Sequence, residues 1–358
     1  MSGRCIDIIY ISGAHGGFEN NLNQTAEYLK ENGYRIRFVQ MLDSGVSWTT
    51  SRAEYVCLHL DRNNLDLERA RQEYAALLKG AQKPPVMILA TGWPYVVYVA
   101  KGAATDASTD VPVVAWLHGD LHYYEEGGCG GVDMLRFADA CFAISDRIAK
   151  DIIAAYPGKP VLRIHNPYDP DRVCFSEKRD TKELAYIGRL SEEKAVPIIF
   201  HALAKTRDLW ELYIAGEGDG EKELRSLAKQ LGITRRIHFL GWLDKPFAHL
   251  TSCRAILISS LYEGAPLSAV EGLASGMQLI STPVGNVEEL IGNTDCGYIV
   301  PFGEPDALTR LLNQLAGQPF SPEMARACRD IVSGYTPEKT LREFQSWINI
   351  CIGSAKSC

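Results

Sequence analysis

Two glutamates, Glu263 and Glu271, stand eight positions apart in the stretch LYEGAPLSAVEGLASG, residues 261–276. The apolar run Ala255 to Ile258 before them reads as a buried strand. Gly264-Ala265-Pro266 makes a turn, and a helix follows with Pro266 near its first turn, where the missing N–H costs nothing. A strand–turn–helix of this kind leaves unpaired backbone N–H groups and a positive dipole end facing outward, a ready anion site. A carboxylate at that place would repel a free phosphate. A sugar phosphate resolves the conflict, giving hydroxyls to the carboxylates and phosphates to the N–H groups. The plainer alternative makes Glu263 a favourable N-terminal charge and Glu271 a solvated helix residue.

Further candidates lie on other glycine-rich turns. In Ile187-Gly188-Arg189-Leu190-Ser191-Glu192-Glu193-Lys194 two cations sit five residues apart, one at a strand end and one near a helix start. Arg gives a fork and Lys a point charge, so the pair could clamp a diphosphate from two sides and replace a divalent metal. Alternatively they are solvated charges paired with Glu192 and Glu193. Gly216-Glu217-Gly218 closes another strand of the same half. SGAHGG, residues 12–17, is a glycine-rich strand–helix turn without the G-x-G-x-x-G spacing or a following GK[ST], which argues against a dinucleotide fingerprint and a P-loop. Gly16 and Gly17 would allow close backbone approach to a ligand. His118 ends an apolar strand in WLHGD, and Asp120, His122, Tyr123 and Tyr124 follow on a glycine-rich stretch. Aromatic faces stack on sugar C–H surfaces while polar groups bond hydroxyls. The alternative is a structural histidine on a loop.

These turns need strands and helices to hold them. Cys5 to Ile11, Tyr34 to Val39, Tyr55 to Leu60, Val86 to Ala90, Val111 to Leu117 and Ala140 to Ile144 read as strands. Glu19 to Glu31, Leu67 to Leu78, Tyr95 to Ala104 and Asp146 to Ala155 have helical spacing, and GDLHYYEEGGCGG, residues 119–131, reads as a loop. His165-Asn166-Pro167-Tyr168-Asp169-Pro170 breaks both patterns and marks a domain boundary. The alternation then restarts with strands at Glu183 to Ile187, Leu209 to Ala215, Arg236 to Leu240, Ala255 to Ile258 and Gln278 to Ser281. From Asp306 onward the pattern is helical. The expected fold is α/β, with two doubly wound parallel-sheet, Rossmann-like domains facing each other across a cleft. The expected divisions are residues 1–165, 166–335 and a C-terminal helix in 336–358 that crosses back onto the first domain.

Composition narrows the class. The chain has 358 residues, is 46% hydrophobic and 23% charged, and carries a net charge of -7. With no block of Lys and Arg, it is not expected to bind nucleic acid or to hold a polybasic membrane patch. Ten cysteines are scattered without a CxxC or a metal-spaced His cluster, which predicts a reduced, cytoplasmic protein without structural zinc; no divalent metal and no cofactor are expected. No leader is expected. PPVMILATGWPYVVYVA, between Lys83 and Lys101, is the one stretch resembling a membrane span, but Thr91-Gly92-Trp93-Pro94 cuts it into a strand and a helix.

Taken in order, these stretches resemble the retaining family-4 glycosyltransferases of the GT-B fold. GGFENNLNQTAEYLKENGYRIRFV resembles the family's opening Gly-Gly-x-Glu helix, WLHG its strand-end His, and NPYD its linker. YIGRLSEEKAV resembles its Gly-Arg to Lys turn, AGEGDGEKELRSLAKQLGITRRIHFLGWL its Gly-x-Gly helix, and YEGAPLSAVEGLASG its Glu-x7-Glu helix. The likeness is strongest from Leu184 to Pro301. Asn286 departs from the pattern by replacing a usual second glycine.

The resemblance implies a metal-independent hexosyltransferase that takes a nucleotide sugar, a UDP-sugar favoured over a GDP-sugar, and acts in polysaccharide or cell-surface glycan synthesis. Arg189 and Lys194, with Gly188 and Gly216, would hold the diphosphate as it leaves. Glu271 would bond the ribose, and Glu263 with Gly264, Ala265, Pro266 and Leu267 would hold the transferred sugar. Gly16 and Gly17 would approach the phosphates, and His118 would lie at the anomeric centre. Glu263, His118, Arg189 and Lys194 form the expected catalytic set. The acceptor would be a carbohydrate or glycolipid met by Trp93, Asp120, His122 and Tyr123, with at most peripheral contact at the inner membrane face. A nucleotide-sugar 2-epimerase, another enzyme on this fold, or a non-catalytic sugar-binding subunit are the alternatives. Oligomeric state is left open.

Overall fold

Aliphatic and β-branched runs form the strands of this chain, and an amphipathic run follows most of them as a helix. The structure, a computed structural model, describes residues 4–11, 17–43, 49, 53–61 and 64–354. It divides into two compact units, one of residues 1–166 with 338–358 and the other of Pro167–Pro337.

The first unit runs β1 (Arg4–Tyr10), α1 (Gly17–Glu31), β2 (Tyr34–Leu42), β3 (Glu54–Leu60), α2 (Leu67–Gly80), β4 (Met87–Thr91), α3 (Tyr95–Asp106), β5 (Val113–Leu117), α4 (Leu121–Glu126), β6 (Ala140–Ala143), α5 (Asp146–Ala155) and β7 (Val161–Arg163). Its seven strands are parallel, in the order β3-β2-β1-β4-β5-β6-β7. All residues of β4, β5 and β6 are buried, as strands covered on both faces must be. A buried ion pair lies inside. Asp7 on β1 accepts from Arg37 Nε at 2.9 Å and from Tyr74 Oη at 2.8 Å, so this buried carboxylate has the partners that its desolvation demands.

The second unit runs β8 (Glu183–Ile187), α6 (Val196–Ala204), β9 (Glu211–Ala215), α7 (Glu221–Gln230), β10 (Ile237–Gly241), β11 (Ala255–Ile258), α8 (Leu267–Ala274), β12 (Gln278–Ser281), α9 (Val287–Ile291), β13 (Gly297–Ile299), α10 (Pro305–Leu315) and α11 (Pro322–Ile331). Its sheet is parallel, in the order β10-β9-β8-β11-β12-β13. Side chains alternate between faces along a strand, and the core follows that rule. Leu184, Tyr186, Leu257 and Ile280 join one apolar cluster, while Ala185, Ile256, Ile258 and Leu279 join another.

Arg179 pins the entry to this sheet. Its buried guanidinium donates to the carbonyls of Ser176, Leu250, Cys253 and Ser275. Burial pushes its pKa down to about 10. The last helix, α12 (Pro337–Ser354), packs with the first unit from Glu338 onward. Phe344 meets Trp116 and Phe142, with ring centroids 4.9 and 5.2 Å apart, and Tyr34 Oη donates to Asn349 Oδ1 at 2.7 Å.

Two local expectations need correction. Residues 119–131 are not a plain loop, because they contain α4, and a 3₁₀ helix, Val132–Phe137, follows them. Asp120 nucleates α4 by capping it, a signal hidden by the flanking glycines. The short edge strands β7 and β13 were too brief to show a period. The apolar stretch between Lys83 and Lys101 is β4, a turn and α3, as the sequence suggests. No helix among the described residues is long and apolar enough to cross a membrane.

Candidate functional site

In an open doubly wound sheet, loops diverge where the strand order reverses, and ligands bind there beyond the carboxyl ends of the strands. In the second unit the reversal falls between β8 and β11. The turn after β8 carries Gly188, Arg189 and Lys194, and the turn after β11 carries Glu263. The fold therefore brings together side chains remote in sequence. Lys194 Nζ donates to Glu263 Oε1 at 2.7 Å, and Ser260 Oγ donates to the same oxygen at 2.7 Å. Two bonds to main-chain carbonyls lock the turns together. Ser259 Oγ donates to the Lys194 carbonyl at 2.7 Å, and Leu261 N to the Glu193 carbonyl at 2.8 Å.

Lys194 is thus paired across the switch point rather than with its neighbours Glu192 and Glu193. Ser191 Oγ bonds Glu193 Oε1 instead, at 2.5 Å. Arg189 is exposed. Among the described residues its guanidinium has no ion pair in the structure, leaving its five donors for solvent or an anion.

Glycine allows the turns to lie this close. A Cβ on Gly216 would stand 1.9 Å from the Gly188 carbonyl oxygen, so only glycine fits where the ends of β8 and β9 meet. Gly216 therefore shapes the turn through its own chain. Gly285, at φ +55, likewise lies against the Gly264 carbonyl, 2.6 Å from where its Cβ would be.

Pro266 caps α8 without a side-chain bond, and the helix begins at Leu267. Gly264, Ala265, Pro266 and Leu267 thus form the turn and first residue of that helix. Glu271 lies on α8 but is only 4% exposed, which overturns the alternative of a solvated helix residue. Burial, opposed by Arg172, raises its pKa to about 7. Arg172 Nε donates to Glu271 Oε1 at 3.0 Å.

Sequence reasoning missed three groups here. Ser260 lies three residues before Glu263 on the same turn, where its spacing was visible. Arg172 lies in the linker and meets Glu271 across 99 positions, which no local pattern reveals. Trp242 follows β10 directly and is 58% exposed, with its backbone N–H donating to Glu217 Oε1 at 3.2 Å.

In the first unit the order reverses between β1 and β4. Gly17 is the first residue of α1 and Trp93 lies in the turn after β4; Gly16 lies outside the described residues. His118 follows β5. Its ring meets Trp116 and Phe18, with centroids 4.5 and 5.0 Å apart. Its Nε2 is buried with no hydrogen-bond partner in the structure. The residue edge keeps some exposure, but burial of the ring pushes the pKa down to about 3. The imidazole is neutral at ordinary pH.

The expected acceptor groups are partly engaged. Asp120 Oδ1 accepts from the N–H groups of His122 and Tyr123 at 2.9 and 3.3 Å, and its Oδ2 lies 3.0 Å from Arg147 Nη2. Its carboxylate is a helix cap before it is anything else. His122 pairs with Glu126 one turn along α4, at 3.2 Å, and Tyr123 is exposed. Among the described residues no group of three or more His, Cys, Asp or Glu could hold a metal ion.

Two α/β units, each built on a parallel sheet, give this chain the GT-B fold. Residues 171–331 match the family model of glycosyl transferases group 1. The chain is similar to the lipopolysaccharide 1,6-galactosyltransferase of Salmonella typhimurium, 27% identical over 179 residues, 48% of each chain. It is also similar to the Escherichia coli enzyme of that name, 26% identical over 61% of this chain and 63% of that one. The matches thus span about half to 63% of these relatives' length. The fold is shared with a lipopolysaccharide outer core galactosyltransferase, WaaB in its apo form, at a TM-score of 0.80, 20% identity, and 98% and 99% of the two chains. Anabaena Alr3699/HepE, solved with UDP and glucose, gives 0.79 at 18% identity, covering 97% and 99%.

Proposed function

We propose that this protein is a retaining, metal-independent glycosyltransferase that moves a sugar from a nucleotide sugar, a UDP-sugar by preference, to a carbohydrate or glycolipid acceptor in cell-surface glycan synthesis. The observation that carries this reading is the Lys194–Glu263 pair at the switch point of the second sheet. It puts a cation and a hydroxyl-binding carboxylate within one hydrogen bond of each other, at the start of a helix with free N–H groups. Names of the similar proteins, lipopolysaccharide galactosyltransferases among them, support the reaction class and the glycan setting. The UDP in the HepE structure supports the choice of base.

In this reading Arg189 and Lys194 neutralise the diphosphate as it departs, the main electrostatic task of such a transfer. They supply charge that a divalent cation would otherwise bring. Glu263 and the turn from Gly264 to Leu267 hold the transferred sugar, and Glu271 bonds the ribose. Gly16, Gly17 and His118 are assigned in this proposal to the donor and catalytic set. A neutral His118 offers one donor or one acceptor to a sugar rather than a charge. Trp93, Asp120, His122 and Tyr123 serve the acceptor, with the carboxylate of Asp120 acting mainly through α4. The work is assigned to the cytoplasm, with at most peripheral contact at the inner membrane face.

The test is a panel of nucleotide sugars offered with and without oligosaccharide and glycolipid acceptors. A glycosidic product with the donor's anomeric configuration, read by NMR, is expected. An epimer formed without any acceptor would instead establish an isomerase, and binding without turnover a sugar-binding subunit.

A further inference from the structure

We infer that Arg172 is a positioning residue of the donor site, anchoring Glu271 from the linker and tying it to the loop after β10. The inference rests on the reading that Glu271 bonds the ribose of the donor. Arg172 is not part of any glycine-rich turn, yet its guanidinium makes two bonds to separate elements. Nε donates to Glu271 Oε1 on α8 at 3.0 Å, and Nη1 donates to the Asp244 carbonyl at 3.2 Å. Asp244 lies three residues beyond the end of β10, in the loop that also carries the exposed Trp242. One planar fork therefore fixes the distance between the buried carboxylate and that loop. Arg suits the task because its donors are rigidly arranged.

The same contact controls charge. Glu271 is buried, and the charged groups facing it are Arg172 and Asp169, both from the linker. Arg172 favours the carboxylate; Asp169 opposes it through its charge while its backbone N–H bonds the ionised form. A carboxylate accepts from two ribose hydroxyls, whereas a protonated carboxyl uses one oxygen as a donor. With burial holding Glu271 close to half-ionised near neutrality, the guanidinium decides how much of the protein is ready for the nucleotide.

The experiment titrates full-length wild type, Arg172→Gln, Arg172→Lys and Asp169→Asn with uridine diphosphate by calorimetry across neutral pH. Wild-type affinity should strengthen as pH rises through about 7. Arg172→Gln should bind about tenfold more weakly at neutral pH, the scale of a lost bond to a charged group, with its midpoint moved upward. Arg172→Lys should restore the midpoint but only part of the affinity, because a single ammonium cannot reach both partners. Asp169→Asn keeps the turn and should move the midpoint downward, so the inference does not hang on one variant's folding. Wild-type affinity and midpoint in Arg172→Gln would overturn the positioning role and leave the donor site standing. A lowered melting temperature with every midpoint unmoved would overturn it too, making Arg172 merely structural. Failure of the wild type to bind uridine diphosphate would remove the donor-site reading itself, and the inference with it.

Discussion

Lys194 and Glu263 lie 69 positions apart in the chain and meet at 2.7 Å, Nζ to Oε1, where the strand order of the second sheet reverses. Each is half-buried, so the pair is shielded from solvent more than a surface salt bridge but is still open to a ligand. In the proposed reaction an arriving diphosphate would compete with Glu263 for the ammonium, and an arriving sugar with Lys194 for the carboxylate. On that proposal the pair keeps its charges matched until both halves of the donor replace them.

Loss of either cation should therefore be felt in turnover. Lys194→Ala and Arg189→Ala are each expected to lower kcat by about 10²-fold or more, the scale of one lost group stabilising transition-state charge. Steady-state transfer assays with saturating acceptor measure this. Wild-type turnover in the double variant would refute the clamp.

Transfer should continue when divalent metal is removed. Protein dialysed against a chelator is expected to keep its rate, because two side-chain cations neutralise the leaving diphosphate in the proposed reaction. Complete loss of activity, regained on adding magnesium or manganese, would contradict this.

Acid should weaken the fold through His118. Burial holds its folded pKa at about 3, far below the ordinary value near 6.5. Between those values the unfolded chain binds a proton that the folded chain refuses. Stability from this group is therefore full above pH of about 6.5 and falls by about 1.4 kcal/mol per unit as pH drops towards about 3. His165, pushed down to about 4 mainly by burial, acts in the same direction. Urea melts at several pH values should show the slope, and His118→Asn should remove one proton's worth of it.

Arg179 should be among the costliest substitutions outside the site. Its four carbonyl partners come from the linker and from three other points of the second unit. Arg179→Met removes the charge but leaves those acceptors buried, so a loss of about 3 kcal/mol or more in unfolding free energy is expected from several unsatisfied groups. A denaturant midpoint unchanged from wild type would show that the pinning contributes nothing.

Much of this architecture could be read before any coordinates. The strand Ala255–Ile258 and the helix Asp146–Ala155 have the same bounds in sequence and structure, since a wholly apolar run and a strongly amphipathic one leave little choice of period. The glycine-rich turns and the glutamates of α8 were also visible, as types and spacings. Short features were not. α4 depends on a cap from Asp120, and β13 has only three residues.

The chain's own order of residues determined where the strands and helices form, which turns carry charge, and which side chains could meet a sugar phosphate. These are local matters of period, backbone freedom and charge. Tertiary structure decided the partners. It placed Lys194 on Glu263 rather than on Glu193, buried Glu271 against Arg172, and packed the His118 ring against Trp116 and Phe18. The physical reason is that desolvation and pairing depend on what packs nearby in space, and residues far apart in sequence supply it. Sequence spacing can nominate a carboxylate, but only the fold sets its charge and its neighbour.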